Sequence, residues 1–142
     1  MSRIIAIDWG TKRTGLAATD PLRIVANSLA TVPTHELQAW LAQYMAAEDV
    51  DVIVVGRPTR MDGSPSETLA PIESLVKRLR TQYPGKQVVM HDERFTSRLA
   101  WQAIRDGGVP KLARRDKSLV DRVSATIILQ SYLESREYKK SL

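Results

Sequence analysis

Four acidic residues sit where a carboxylate could do chemistry. Asp8 closes the apolar stretch RIIAID, Asp92 and Glu93 follow the apolar QVVMH, and Asp121 precedes Ser124, Ala125 and Ile128 at helical spacing. Positions three, four and seven apart share one face of a helix, so Asp121 is expected at the rim of a small, apolar, inward-facing stripe. Carboxylates brought together from distant segments repel one another unless cations neutralise them. Such a cluster can hold two divalent ions roughly 4 Å apart, which activate water and stabilise a leaving oxygen in phosphodiester hydrolysis. Each acid also has a plainer explanation: Asp8 as a hairpin-turn residue, Asp92-Glu93-Arg94 as a solvated strand end, Asp121 as an acid near a helix N-terminus. Only one of Asp92 and Glu93 can face the same side as Asp8, because side chains alternate along a strand. Glu93 is the favoured member of the pair, and Asp92 remains open.

The composition narrows the ligand chemistry. The chain has 142 residues, no cysteine and two histidines, His35 and His91. Disulfides, zinc-thiolate sites and a thiol nucleophile are excluded. Oxygen donors would dominate any metal site, which favours Mg2+ or Mn2+. Net charge is +5, a balance that attracts phosphate backbones. No apolar run reaches the roughly 20 residues a membrane helix needs. The start, MSRIIAIDWG, lacks the long apolar core of a secretory signal. A cytoplasmic protein with no membrane partner is expected, built as a single domain over 1–142.

The elements that must hold these residues can be read from periodicity. Residues 3–8, 14–19 and 23–31 are expected as strands joined by short turns, WGTKRTG and then Asp20-Pro21, which implies an antiparallel start. Leu37, Trp40, Leu41, Tyr44 and Met45 fall at helical spacing after Pro33, with Thr34 as the candidate cap. DVIVV at 51–55 reads as a strand covered on both faces. Residues 56–66 form a loop, and a second helix carries Leu69, Ile72, Leu75, Val76 and Leu79, with Pro71 in its first turn. A strand at 87–91, a helix capped at Thr96 or Ser97 and ended by Gly107-Gly108, and a helix over 118–135 complete the order β-β-β-α-β-α-β-α-α. This is an α/β chain with a five-stranded mixed sheet, three strands antiparallel and the later ones parallel, and helices on both faces. Trp40, Tyr44, Trp101 and Tyr132 are expected in the core, and Trp9 is expected to pack under the hairpin rather than stack on a base.

Basic residues are distributed around the acids. Lys12 and Arg13 lie in the first turn, Arg57 and Arg60 in the 56–66 loop, Arg94 beside Glu93, and Lys111, Arg114, Arg115 and Lys117 in the basic connector VPKLARRDK. The 56–66 loop follows a central strand, at the carboxyl edge where α/β sheets place ligands. These side chains can hold a nucleic-acid backbone, with the connector as a clamp; a solvated loop and linker explain them equally well.

Four blocks, IDWGTKRTG at 7–15, VGRPTRMDG at 55–63, DERFTS at 92–97 and KSLVDRVSATIILQSYLE at 117–134, together resemble the YqgF family of Holliday-junction-resolvase-like, pre-16S rRNA nucleases. The similarity spans nearly the whole chain. It implies a ribonuclease H-like fold and an acidic metal site carried by Asp8, by Glu93 or Asp92, and by Asp121. It also implies a nuclease that matures the 5′ end of 16S rRNA, with resolution of four-way DNA as the alternative, acting as a monomer or homodimer on structured RNA or branched DNA. The family usually has leucine where this chain has Arg57. Two further readings stand beside the nuclease. One is nucleotide handling of the actin and sugar-kinase type, whose phosphate loop IDWGTKRTG also resembles, although 142 residues supply only one of the two domains that close over a nucleotide. The other is a catalytically silent nucleic-acid-binding module.

Overall fold

The chain's first strand shows how the layers arise. In β1 (Arg3–Asp8), Ile5 and Ile7 enter one apolar cluster and Ile4 and Ala6 the other. Both faces are covered, so the strand is apolar at every interior position. The structure, a computed structural model, describes residues 2–57, 67–92 and 117–135. Its remaining strands are β2 (Arg13–Thr19), β3 (Ala26–Pro33), β4 (Val50–Arg57) and β5 (Gln87–Asp92), and its helices are α1 (Leu37–Ala47), α2 (Leu69–Gln82) and α3 (Lys117–Glu134). The expected helix at 96–108 and the connector at 109–116 lie outside the described residues.

The sheet order is β3-β2-β1-β4-β5. β1 and β2, and β2 and β3, pair antiparallel; β1 and β4, and β4 and β5, pair parallel. The mixed five-stranded sheet expected from the sequence is therefore present. Leu37 and Leu41 of α1, and Ile72, Leu75, Val76 and Leu79 of α2, join the cluster with Ile5, Ile7, Ile53 and Val55. Ala125, Ile128, Leu129 and Tyr132 of α3 join Ile4, Ala6, Ala17, Val52, Val54 and Val89 on the other face. Val50 and Val52 enter opposite clusters although they are two residues apart. The pairing shifts there, from Arg3↔Val50 to Ile4↔Val52, and the extra residue of this bulge reverses the side-chain alternation.

Two local expectations are corrected. The third strand begins at Ala26 rather than at 23. The Asp20 carboxylate accepts the backbone N–H groups of Leu22 at 3.1 Å and of Ile24 and Val25 at 2.8 Å each, which winds the chain into a loop. Those bonds, Val25 first, hold the Asp20 carboxyl below its ordinary value. Arg23 sits in the left-handed region at φ 59 and its guanidinium reaches Ser2 Oγ at 2.9 Å and Asp51 Oδ2 at 3.0 Å. Thr34, in turn, caps no helix. Residues Thr34–Glu36 form a 3-10 turn ahead of α1 without a side-chain cap, and the Thr34 hydroxyl is used elsewhere. Pro71 does lie in the first turn of α2, where it removes no intrahelical donor.

Candidate active site

Asp8 is the last residue of β1 and stands opposite Gly15 of β2. It is half-buried. Strand alternation assigns it to the face of Ile4 and Ala6, the face that α3 covers. The pair one step down the ladder on that face is Ala6↔Ala17. Small residues continue on the helix, where Ser124 is 2% and Ala125 0% exposed. Alanine on alanine lets α3 approach the sheet closely, and Gly15 adds no side chain of its own across from Asp8. The donor is an oxygen anion at a partly buried strand end, which suits a hard divalent cation.

The loop after Asp8 is held in place by backbone contacts. A Cβ on Gly10 would meet the carbonyl oxygen of Arg13 at 2.5 Å, so glycine is required for the turn to close. The Thr34 hydroxyl donates to the Gly10 carbonyl at 2.6 Å and lies 2.9 Å from the Thr14 hydroxyl. Its single proton being committed to Gly10, Thr14 is the donor in the second bond. The Thr34 N–H donates to the Lys12 carbonyl at 3.0 Å. Lys12 is exposed on this loop and Arg13 is half-buried at the start of β2. Trp9 packs, partly buried, against the cluster under α1 and α2, and thus on the face opposite Asp8.

β5 separates the two neighbouring acids. Val89 belongs to the α3 side, whereas Val88 and Met90 belong to the α1–α2 side. Alternation then assigns His91 to the face of Asp8 and Asp92 to the other. The His91 ring confirms this assignment: its Nε2 lies 2.8 Å from Ser131 Oγ of α3, and it meets Tyr132 edge-on at 6.0 Å. Asp92 is exposed and pairs in register with the equally exposed Arg57. Both are directed away from Asp8.

The Asp121 backbone lies within α3, one turn before Ser124 and Ala125; its side chain, like that of Lys117, lies outside the described residues. So do Glu93, Arg60, Arg94, Lys111, Arg114, Arg115 and Trp101. Among the described residues, no three His, Asp or Glu side chains gather into a metal-binding group. The contact of His91 with α3 was not anticipated from the sequence. Its only sequence signal is the alternation that separates position 91 from position 92. No described helix is long and apolar enough to cross a membrane.

A family model described as "RuvX: Holliday junction resolvase" matches residues 2–135. A protein of Phocaeicola vulgatus named "Putative pre-16S rRNA nuclease" is 54% identical over 138 residues, covering 97% of this chain and 99% of the relative. One of the same name from Parabacteroides distasonis is 50% identical and covers 98% of this chain and 99% of the relative. Among solved structures, T. thermophilus RuvC in complex with a Holliday junction substrate superposes with a TM-score of 0.54 at 16% identity, covering 94% of each chain. At that identity the likeness speaks for the fold, which is ribonuclease H-like.

Proposed function

The chain belongs to the RuvX family, and from that membership we propose that it is a metal-dependent nuclease that processes the 5′ end of precursor 16S rRNA. The substrate is the one named for relatives sharing about half of its residues over nearly their full length. The observation that carries the reading is Asp8: a half-buried carboxylate at the end of a strand buried on both faces, with glycine opposite and the closely packed α3 above it. A carboxylate at such a strand end offers oxygen ligands to a hard divalent cation.

Asp8, Glu93 and Asp121 would hold the ions, Mg2+ or Mn2+. Asp92 belongs to the face away from Asp8, which favours Glu93 as the ligand. Bound divalent ions supply Lewis acidity toward the phosphate and lower the pKa of water. The chain's own residues bind and orient the strand. Lys12 and Arg13 reach the backbone beside Asp8, and Arg94 and the basic residues Lys111, Arg114, Arg115 and Lys117 hold flanking phosphates. Arg57, on the side of Asp92, contacts the strand as well, and Arg60 adds a further positive charge for it. The acids act as ligands, not as nucleophiles. The whole chain works as one domain, in the cytoplasm where ribosomes are assembled.

Cleavage of four-way DNA is the second reading, favoured by the description of the matching family. The test is incubation of wild type and Asp8→Asn with precursor 16S rRNA and with a four-way junction, with Mg2+, Mn2+ or EDTA. Removing one metal-ligating charge is expected to lower RNA cleavage at least 10²-fold while substrate binding in EDTA persists, since single electrostatic groups at such centres contribute about that much. Full activity of Asp8→Asn, or cleavage that persists in EDTA, would refute the metal nuclease.

A further inference from the structure

A cleft of about 340 Å³ opens on the face of the sheet opposite Asp8, beside the end of β1. Its lining includes Trp9 and the buried Leu75 together with the polar side chains of His35, Gln38, Ser74 and Arg78. We propose that this cleft is a subsite for one unpaired nucleotide of the bound strand, with the base against Trp9 and its phosphate on Arg78. The proposal rests on the nucleic-acid reading above and adds a place for the nucleotide next to the one at Asp8.

Four observations support this occupant. The first is composition. The cleft pairs an indole and aliphatic side chains with a guanidinium and an imidazole, and among the described residues no carboxylate lines it. That combination suits a planar anion and disfavours a cation, and aromatic walls accept any base because every base has a π-face. The second is unspent hydrogen-bonding capacity. Among the described residues, the side chains of His35, Gln38, Ser74 and Arg78 have no hydrogen-bond or ion-pair partner. Gln38 offers both donor and acceptor to a base edge.

The third observation is position. Asp8 and Trp9 are consecutive and lie on opposite faces, their Cα atoms about 3.8 Å apart. A strand with a phosphate at Asp8 needs only to turn around the end of β1 to deliver its neighbour to the cleft. Arg57, exposed at the end of β4, lies on this same face. The fourth is rigidity. Thr34, part of the cleft wall, is tied to Gly10 and Lys12 by hydrogen bonds of 2.6 and 3.0 Å. The cleft and the loop that follows Asp8 are therefore one mechanical unit. A base stacked inside a duplex has both faces covered by its neighbours, so the subsite selects for a splayed or single-stranded position.

The test uses adenosine 5′-monophosphate, adenosine and inorganic phosphate as probes, in EDTA, followed by the Trp indole N–H signals in NMR. Adenosine 5′-monophosphate is expected to shift the Trp9 signal saturably. Arg78→Ala should weaken that binding at least fivefold and leave adenosine unaffected. Ser74→Phe, which fills the mouth from an exposed position on α2, should abolish both. Asp8→Asn should bind as wild type does, which separates this site from the metal centre. With a single-stranded overhang on the RNA substrate, Ser74→Phe should raise KM about tenfold and leave kcat in place. Absence of a Trp9 shift, response to phosphate with no added effect of the base, or unchanged binding in both Arg78→Ala and Ser74→Phe would overturn the subsite. None of those results would touch the cleavage reading, which depends on Asp8 and metal.

Discussion

Ala125→Leu is expected to unseat α3 from the sheet, and its cost can be estimated. Ala125 is fully buried and packs in one cluster with Ala6 and Ala17, which face each other across β1 and β2. Leucine adds three carbon atoms where small residues on both sides define the helix–sheet spacing. Overpacking of this kind costs typically about 1–3 kcal/mol. At roughly 3 °C per kcal/mol for a domain near this size, the melting temperature should fall by about 3–9 °C. The second effect falls on activity. Asp121 lies one turn earlier on the same helix, and a displacement of about 1 Å at a reacting group can cost on the order of 10²-fold in rate. Urea unfolding measures the first effect and cleavage of precursor 16S rRNA at a temperature well below the transition measures the second. Gln130→Leu, an exposed site on the same helix, is the control and should change neither. Wild-type stability in Ala125→Leu, or equal losses in Gln130→Leu, would show that the close approach of α3 to the alanine pair is not what seats the helix.

Other expectations follow from individual contacts. Tyr132→Ala should destabilise by about 3–5 kcal/mol, as for other buried aromatics cut to alanine, since Tyr132 is fully buried and meets His91; urea unfolding checks this. Gly10→Ala should cost about 1–3 kcal/mol, because the new methyl meets backbone that cannot swing away. Its amide exchange should quicken at Thr34, whose N–H bonds the same loop. Asp20→Asn should loosen the 20–25 loop and speed exchange at Ile24 and Val25. The folded Asp20 carboxyl lies below its ordinary value of 3.8, so its contribution is fully present above that value. It is lost as pH falls through the depressed value, and wild-type protection of Ile24 and Val25 should fade only in that acid range. Protection that is flat with pH there would contradict the role given to the carboxylate.

The sequence by itself determined the described strands and helices, apart from some of their ends, because each is set by local periodicity. The IIAI and VIVV runs at 4–7 and 52–55 are short, apolar and rich in β-branched residues, as strands covered on both faces are, while the spacing of Ile72, Leu75, Val76 and Leu79 fits a helix lying on a surface. It also singled out Asp8 and its loop as a candidate, from an acid that ends an apolar strand with Gly10 and Gly15 close behind it. What it left open were choices made by partners distant in the chain. The 23–25 stretch reads as strand by its side chains, yet the Asp20 carboxylate bonds three of the following backbone N–H groups and makes it a loop. Thr34 has the composition of a helix cap, yet its hydroxyl goes to Gly10, 24 residues earlier. Asp92 is legible as an acid, but its face depends on which of Val88 and Val89 meets α3, and that is decided by packing. Local sequence sets which conformations a segment prefers; only tertiary contacts decide which of its polar groups meet, and on which side of the sheet.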